Sequence, residues 1–444
     1  MLERVNALRD EHPAVSEVRL TEGAARRDLL AVLRLCDSGR LRCSEQTRRP
    51  AAAAVVMTAQ ALSSGDFYRD EAIAAYAWPL IVQAGGLATV SGGKLQLTTR
   101  GRAALSQPAA EVIRQLWRSW VAKGVIDELS RVEHLKGQRA SNVLTAVKTR
   151  REIVATALAT CEPDTWVAVD ALFRSMRRAG LSPSVARNGR AVWKLYLVDA
   201  RYGSCGYDGY GTWQMLEGRY TLAVLFEYAA TLGLVDVTYD EPEGARDDFR
   251  YNASAEELPY LSRYDGLLAL RLNGLGAYAL GLTGTYRPPA DAEPVRALKV
   301  LPSLDVVATG EIETADQLTL DAYARRTSDR VWTLTIDTVV AAVAAGRDVG
   351  QFRVFLESRM TQSALPSTLV TLLDDVTART RRVRDLGRVR LIECADPALA
   401  TLIHHDRRVR RLCTPIGDRH LAVTPDDEPA FLKALQALGF AIPN

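Results

Sequence analysis

The sequence predicts an α+β, multidomain chain, with helix–helix–hairpin modules upstream and a mixed α/β domain downstream. Three observations carry this. Residues 51–105 read as two helical segments followed by a short hairpin. The closing segment of that hairpin recurs at 270–280. A proline-rich linker, Arg287-Pro-Pro-Ala-Asp-Ala-Glu-Pro294, then precedes a last region of strands and helices, because proline interrupts helix and ladder alike.

Residues 1–50 hold one amphipathic stretch, Arg26 to Leu35, and a basic run through Arg48-Arg49-Pro50. The first module is expected over 51–110. Ala51–Leu62 is alanine-rich and helical, and Asp70–Gln83 is a second helix stopped by Gly85-Gly86. Leu87-Ala-Thr-Val, the turn Ser91-Gly-Gly-Lys94 and Leu95-Gln-Leu form the hairpin. Thr98 caps the helix that closes it. Helices followed by such a hairpin make a winged helix-turn-helix.

Residues 111–200 are helical, with segments Glu111–Leu129, Asn142–Thr160 and Trp166–Gly180, and suit a helix-turn-helix core. The second winged module is expected over 201–286. Leu95-Gln-Leu-Thr-Thr-Arg-Gly-Arg-Ala-Ala-Leu105 aligns without a gap to Leu270-Arg-Leu-Asn-Gly-Leu-Gly-Ala-Tyr-Ala-Leu280. Gly86-Leu-Ala-Thr-Val90 likewise matches Gly233-Leu-Val-Asp-Val237. One supersecondary unit used twice accounts for this, with chance similarity as the alternative. The second copy carries an insertion from Thr238 to about Asp265. Over Asp236–Glu257 it has eight acidic residues against two arginines, so it is no DNA-contacting wing and is expected to dock on a basic stretch or a basic partner.

The last domain is expected over 295–444. Strands are read at Ala297–Leu301, Val331–Thr335, Val389–Glu393 and Leu421–Val423, and helices at Glu311–Ala324, Ile336–Ala345, Gln351–Arg359, Leu369–Thr380 and Glu428–Leu438. The residues that characterise it are Leu301-Pro-Ser-Leu-Asp-Val-Val, Trp332-Thr-Leu-Thr-Ile, Ala344-Ala-Gly-Arg with Phe355-Leu, and Leu365-Pro. Next come Leu373-Asp-Asp with Arg379, Val389-Arg-Leu-Ile and Leu435-Gln-Ala-Leu-Gly-Phe. This order resembles the helicase XPB N-terminal-like, or helicase-associated, domain. The resemblance implies DNA association or partnership with a helicase, and names no active site.

The composition is that of an ordinary globular chain: 444 residues, 48% hydrophobic, 25% charged, net charge +3. No apolar run reaches about 18 residues, and the N-terminal residues do not read as a signal peptide, so a cytoplasmic protein without membrane contact is expected. The six cysteines form no C-x-x-C pair and are expected to be reduced and interior. No cofactor is expected. Gly92-Gly93-Lys94 is followed by Leu95, where a phosphate loop needs a hydroxyl for Mg²⁺. Asp70-Glu71-Ala72-Ile73 lacks the apolar strand that precedes a helicase acidic box. His404 and His405 diverge by about 100° on a helix and do not share a metal. Gly203-Ser-Cys205-Gly has no histidine near it in sequence. The sequence therefore points away from an enzyme.

Charge is the informative signal. Lys148–Lys194 holds nine basic against four acidic residues, and Arg379–Arg411 holds ten arginines against four acids. Arginine's fork matches phosphate oxygens. The candidate DNA contacts are Arg379, Arg381, Arg382, Arg384, Arg388, Arg390, Arg407, Arg408, Arg410 and Arg411, with Arg177, Arg178, Arg187, Arg190 and Lys194 from the earlier stretch. A solvated, ion-paired face is the alternative. The aromatic–glycine run Tyr202–Trp213 offers rings for base stacking, or simply packs on its module. Asp70–Trp78 is poor in cations, whereas a major-groove helix normally presents Arg, Lys, Asn or Gln, so protein interaction is the alternative to DNA binding for the winged modules. The expected function is a non-catalytic DNA-binding or DNA-sensing adaptor for a separate helicase, ATPase or nuclease, in genome maintenance, DNA repair or anti-phage defence. The alternatives are a protein scaffold or a transcriptional regulator.

Overall fold

The computed structural model describes residues 16–139, 142–207, 209–289, 295–380, 382 and 387–442. The chain is α+β and multidomain, and divides into two compact units, one ending at Asp374 and one beginning at Asp375.

The first unit opens with β1 (Glu17–Arg19), α1 (Glu22–Asp37), α2 (Ala52–Ala61), α3 (Ala74–Ala84), the hairpin β2 (Ala88–Ser91) and β3 (Lys94–Leu97), and α4 (Thr99–Ala104). Between α1 and α2, Arg42 bridges antiparallel to Lys94 of β3. Helix α3 begins at Ala74, not at Asp70. The Asp66 carboxylate accepts the N–H groups of Ile73 (3.2 Å), Ala74 (2.8 Å) and Ala75 (2.9 Å), and so fixes the first turn there. Helix α5 (Ala109–Lys123) buries Val112, Ile113, Leu116, Trp117 and Trp120. It stops at Gly124, short of the expected Leu129, where the Arg151 guanidinium packs so closely that a Cβ would lie 2.2 Å from it. A 3₁₀ turn, Glu128–Arg131, follows.

The same order then repeats with α6 (Val147–Ala159), β4 (Trp166–Ala168) and α7 (Val169–Arg178). The segment expected as one helix from Trp166 thus starts as a strand, because Trp166, Val167 and Ala168 pair with Arg271, Leu270 and Ala269. A helix of mixed pitch follows, with π-turns at Gln214–Gly218 and Val224–Ala230 around an α-turn at Arg219–Ala223. The hairpin β5 (Val235–Tyr239) and β6 (Leu267–Leu272) and helix α8 (Gly274–Leu280) close the module. The hairpin is the centre of a four-stranded antiparallel sheet of order β1-β5-β6-β4.

The two closing corners correspond atom for atom. Thr98 Oγ1 accepts from Gly101 N at 3.0 Å, and Asn273 Oδ1 accepts from Gly276 N at 2.9 Å. Thr98 N donates to Leu87 O (2.9 Å) and Asn273 N to Leu234 O (3.3 Å). Each side chain also donates to the preceding glycine carbonyl, of Gly86 (2.8 Å) or Gly233 (2.9 Å). A Cβ on Gly101 would lie 1.9 Å from Leu87 O, and one on Gly276 2.0 Å from Leu234 O. Only glycine lets the closing helix sit this close to the start of the hairpin.

Residues 297–374 add a sheet of order β9-β10-β8-β7, from β7 (Leu298–Val300), β8 (Asp305–Ala308), β9 (Arg325–Ser328) and β10 (Val331–Thr333). Helices α9 (Thr314–Tyr323), α10 (Ile336–Ala344) and α11 (Val349–Arg359) accompany it, and α12 (Ser367–Thr380) begins there. Helix α9 packs on α1, and Arg347 pairs with Asp37 at 2.6 Å. The second unit has β11 (Arg390–Glu393), α13 (Pro397–His405), β12 (Thr414–Ile416), β13 (His420–Val423) and α14 (Glu428–Ala437), with sheet order β11-β13-β12. Its core includes Ile403, Val409, Leu421, Val423, Phe431 and Leu435. All six cysteines are buried free thiols. Among the described residues no helix is long and apolar enough to cross a membrane.

Candidate nucleic-acid interface

In each module the third helix, the one placed just before the hairpin, is taken up by the core. Helix α3 buries Ala74, Ala75, Ala77, Trp78, Pro79, Leu80, Ile81 and Val82, and it contains no charged residue. The mixed-pitch helix buries every residue from Arg219 to Ala230. The two helices pack against each other. An aromatic seam joins the modules: Phe67 meets Phe226 edge-on at 4.8 Å, Tyr68 meets Tyr239 at 5.5 Å, and Trp120 stacks on Tyr228 at 4.4 Å. Neither helix has a free face for a DNA groove.

Several arginines that look like surface charge in the sequence are part of this seam. Arg131 pairs with Glu227 at 3.0 Å, donates to Ala72 O at 3.0 Å and lies 3.7 Å over the Tyr76 ring, so it ties both third helices together. Arg150 pairs with Asp127 and Arg151 with Glu128, both at 2.7 Å, and both guanidinium groups are buried. Glu128 also accepts from Tyr220 Oη at 3.1 Å. Burial raises the Glu128 carboxyl above its usual range, with Arg151 opposing that rise. Two of the nine cations counted in Lys148–Lys194 are therefore unavailable to phosphate.

Some acids of the insertion are paired from within its own module. Asp265 holds Arg219 through two bonds (2.9 and 3.1 Å), Asp248 pairs with the same guanidinium at 2.5 Å, and Asp236 pairs with Arg271 at 2.6 Å. Arg263 pairs with Glu71 and Glu133. Among the described residues, no acid of the insertion is ion-paired to the Lys148–Lys194 stretch, and Arg219 and Arg271 lie outside it. Among the described residues, the one ion pair of the insertion to the Lys148–Lys194 stretch runs the other way, from its Arg246 to Asp170.

Of the earlier candidates, Arg177, Arg178, Arg187, Arg190 and Lys194 are all exposed. Arg177 lines a cavity together with Arg174, which the sequence reading did not single out. Arg187 is engaged by Leu144 O at 2.6 Å, while Arg190 lies on a one-turn helix capped by Asn188. In the aromatic–glycine run, Trp213 packs edge-on to Phe173 at 5.0 Å, and Tyr207 packs on Trp193 at 4.8 Å, so these rings rest on their own module.

In the second unit, Arg381 and Arg384 lie outside the described residues. Arg379 pairs with Asp375 at 2.7 Å, Arg390 with Glu428, and Arg408 with Asp406 at 3.4 Å. Arg382, Arg388, Arg407, Arg410 and Arg411 are exposed and have no ion pair among the described residues. The sheet brings two of the basic segments to one end. Leu391 of β11 and Thr414 of β12 both pair with Ala422 of the central strand, two inter-strand spacings or about 10 Å apart. Arg388 and Arg411 each stand three residues before these positions. The turn after the central strand, with Asp426, Asp427 and Glu428, sits at the same end and offsets part of the charge. Among the described residues no group of three or more His, Cys, Asp or Glu is placed to hold a metal ion.

A family model described as the helicase conserved C-terminal domain matches residues 298–415, from β7 into β12. The C-terminal segment is thus similar to a helicase-associated domain. No curated protein matches the chain.

Proposed function

We propose that this chain is a non-catalytic adaptor that works beside a separate helicase, ATPase or nuclease and contacts DNA through phosphate. The observation that carries this is the helicase-domain match at 298–415 in a sequence without a phosphate-binding loop. The finer likeness to the XPB N-terminal-like domain, and a place in the cytoplasm in repair or defence, belong to the same reading. Both upstream modules are read as winged helices, from the order helix, strand or bridge, helix, helix, hairpin, helix. Their buried third helices support a scaffold role for them, not base reading. DNA contact is assigned to the exposed arginines of the second unit, where Arg388, Arg410 and Arg411 meet the solvent near one end of a sheet.

The test is a gel-shift salt titration of the full chain on several unrelated duplexes. Binding should be sequence-tolerant, and log affinity should fall with log salt by about 0.9 per phosphate contacted. Arg410→Glu/Arg411→Glu should weaken all duplexes alike and flatten the slope. No binding at moderate salt, or a slope unchanged in the variant, removes DNA from the account. The scaffold reading then stands, favoured by the packed third helices, and expects the same substitutions to weaken a protein complex. The purified chain should hydrolyse no ATP with or without DNA. Turnover abolished by one substitution in this chain would overturn the non-catalytic reading.

A further inference from the structure

A groove with a cavity volume of about 440 Å³ opens beside α7 in the first unit, within the usual range for a small-molecule site. Its floor is one cross-strand row of the four-stranded sheet. Val18 pairs with Thr238, Thr238 with Ala269, and Ala269 with Ala168, so each strand contributes a small or short side chain. One wall is aromatic and basic, formed by Phe173, Arg174 and Arg177 of α7 with Trp213. The other wall is the insertion, held in place by Arg246, which pairs with Asp170 at the start of α7 and with Asp248 at 3.1 Å. Trp166 stands on β4 at the same cavity.

Three features of this groove point to one kind of ligand. The rings are fixed before anything binds: Trp213 Nε1 donates to Ser182, its ring meets Phe173 edge-on, and Trp166 lies under the Arg271 guanidinium at 5.2 Å. Fixed indole faces favour a planar aromatic guest, because little order has to be imposed on binding. The cations at the mouth carry no ion pair among the described residues, and Arg177 lies 5.8 Å over the Trp213 ring, so a base stacking there displaces it toward the phosphate. Arg174 and Arg177 are exposed and pair with no carboxylate among the described residues, whereas Asp170 and Asp248 are already engaged by Arg246. Asp247 is the remaining acid of the lining. Finally, the side-chain oxygen of Gln214, on the groove wall, is buried with no hydrogen-bond partner. A buried acceptor left unpaired is costly, and a ligand N–H would relieve it.

We propose that this groove binds a nucleotide: the base lies against the aromatic wall with an N–H toward Gln214, and the phosphate is gripped by Arg174 and Arg177. The nucleotide is either free or the end of a single strand, and the chemistry of recognition is the same for both. The proposal does not use the arginines of the second unit, since every residue of the groove belongs to the first.

The probes are AMP, UMP and a short single-stranded oligodeoxyadenylate, titrated into the full chain and followed by quenching of tryptophan fluorescence and by calorimetry. Saturable binding of both AMP and UMP is expected, because adenine N6–H and uracil N3–H can each donate to Gln214. Binding of AMP assigns the groove to free nucleotides, and binding of the oligonucleotide alone assigns it to strand ends. Arg174→Gln/Arg177→Gln, which removes both charges but keeps the aliphatic stem and a polar end on an exposed helix face, should lower affinity at least about tenfold with an unchanged melting temperature. Gln214→Leu should lower the affinity for AMP and UMP alike. Arg410→Glu/Arg411→Glu should leave groove binding intact, so failure here and failure of the phosphate surface are distinguishable. The proposal is overturned by no binding of any probe at about 1 mM, by polyglutamate competing as well as AMP, or by full affinity in the Arg174/Arg177 variant.

Discussion

Arg219 compensates two carboxylates at once, and that makes its removal a sharp test of how the insertion is held. The guanidinium and the Asp265 carboxylate are fully buried, with Nε–Oδ1 at 2.9 Å and Nη2–Oδ2 at 3.1 Å. Asp265 also accepts from Leu261 N at 2.9 Å, and Asp248 approaches the same guanidinium. Arg219→Met leaves Asp265 charged, buried and unpaired, and deprives Asp248 as well. The expected cost is about 3–5 kcal/mol, at about 1–2 °C of melting temperature per kcal/mol for a unit of this size. Asp265→Asn keeps a hydrogen-bonding group beside Arg219, which retains Asp248, so about 1–3 kcal/mol is expected. The sign of the second substitution should reverse with the background: in Arg219→Met protein, Asp265→Asn removes a stranded charge and stabilises. Urea unfolding of wild type, both single variants and the double variant measures this coupling. Trypsin cleavage at the exposed Arg250 reports release of the insertion. An Asp265→Asn effect that destabilises equally in both backgrounds would refute the reasoning.

Three further outcomes are expected. Gly101→Ala and Gly276→Ala should each destabilise, by about 1–3 kcal/mol from overpacking against a backbone carbonyl; a gain in either, as helix propensity alone would give, removes the equivalence of the two corners. Asp66→Ala should cost about 1–2 kcal/mol, read by thermal unfolding, because it strips the acceptor from three N–H groups at the start of α3. Burial pushes the Glu217 carboxyl up to about 7 from 4.5, while its bond from Val185 N at 2.9 Å works against that rise. The folded chain then holds this proton more tightly than the unfolded chain, so stability falls as pH rises from about 4.5 to about 7. Glu217→Gln should therefore stabilise by up to about 3 kcal/mol at pH 8, with the gain vanishing toward pH 4.5; a gain independent of pH would show that ionisation of Glu217 is not its source.

What the sequence determined by itself was local. The hairpin at Gly92-Gly93 and the Thr98 cap were legible because each depends on contacts within about a dozen residues, and the recurring L-x-L…G-x-x-A-L segment because its residues repeat without a gap. The interior position of the cysteines followed from their apolar character. Tertiary structure alone decided which charges are surface and which are core. Arg150, Arg151 and Arg177 sit in one basic stretch and look alike in one dimension, but the first two face Asp127 and Glu128, twenty-three residues away, and the third faces solvent. Arg131 and Glu227 meet across ninety-six residues. The lack of cations on α3 was visible in its composition. That its face is covered was not, because the cover comes from a helix some 150 residues downstream. The groove beside α7 was hidden for the same reason. Its floor is a row of four strands and its walls come from two separate segments, and burial and ion pairing are properties of such long-range neighbours, which no local pattern records.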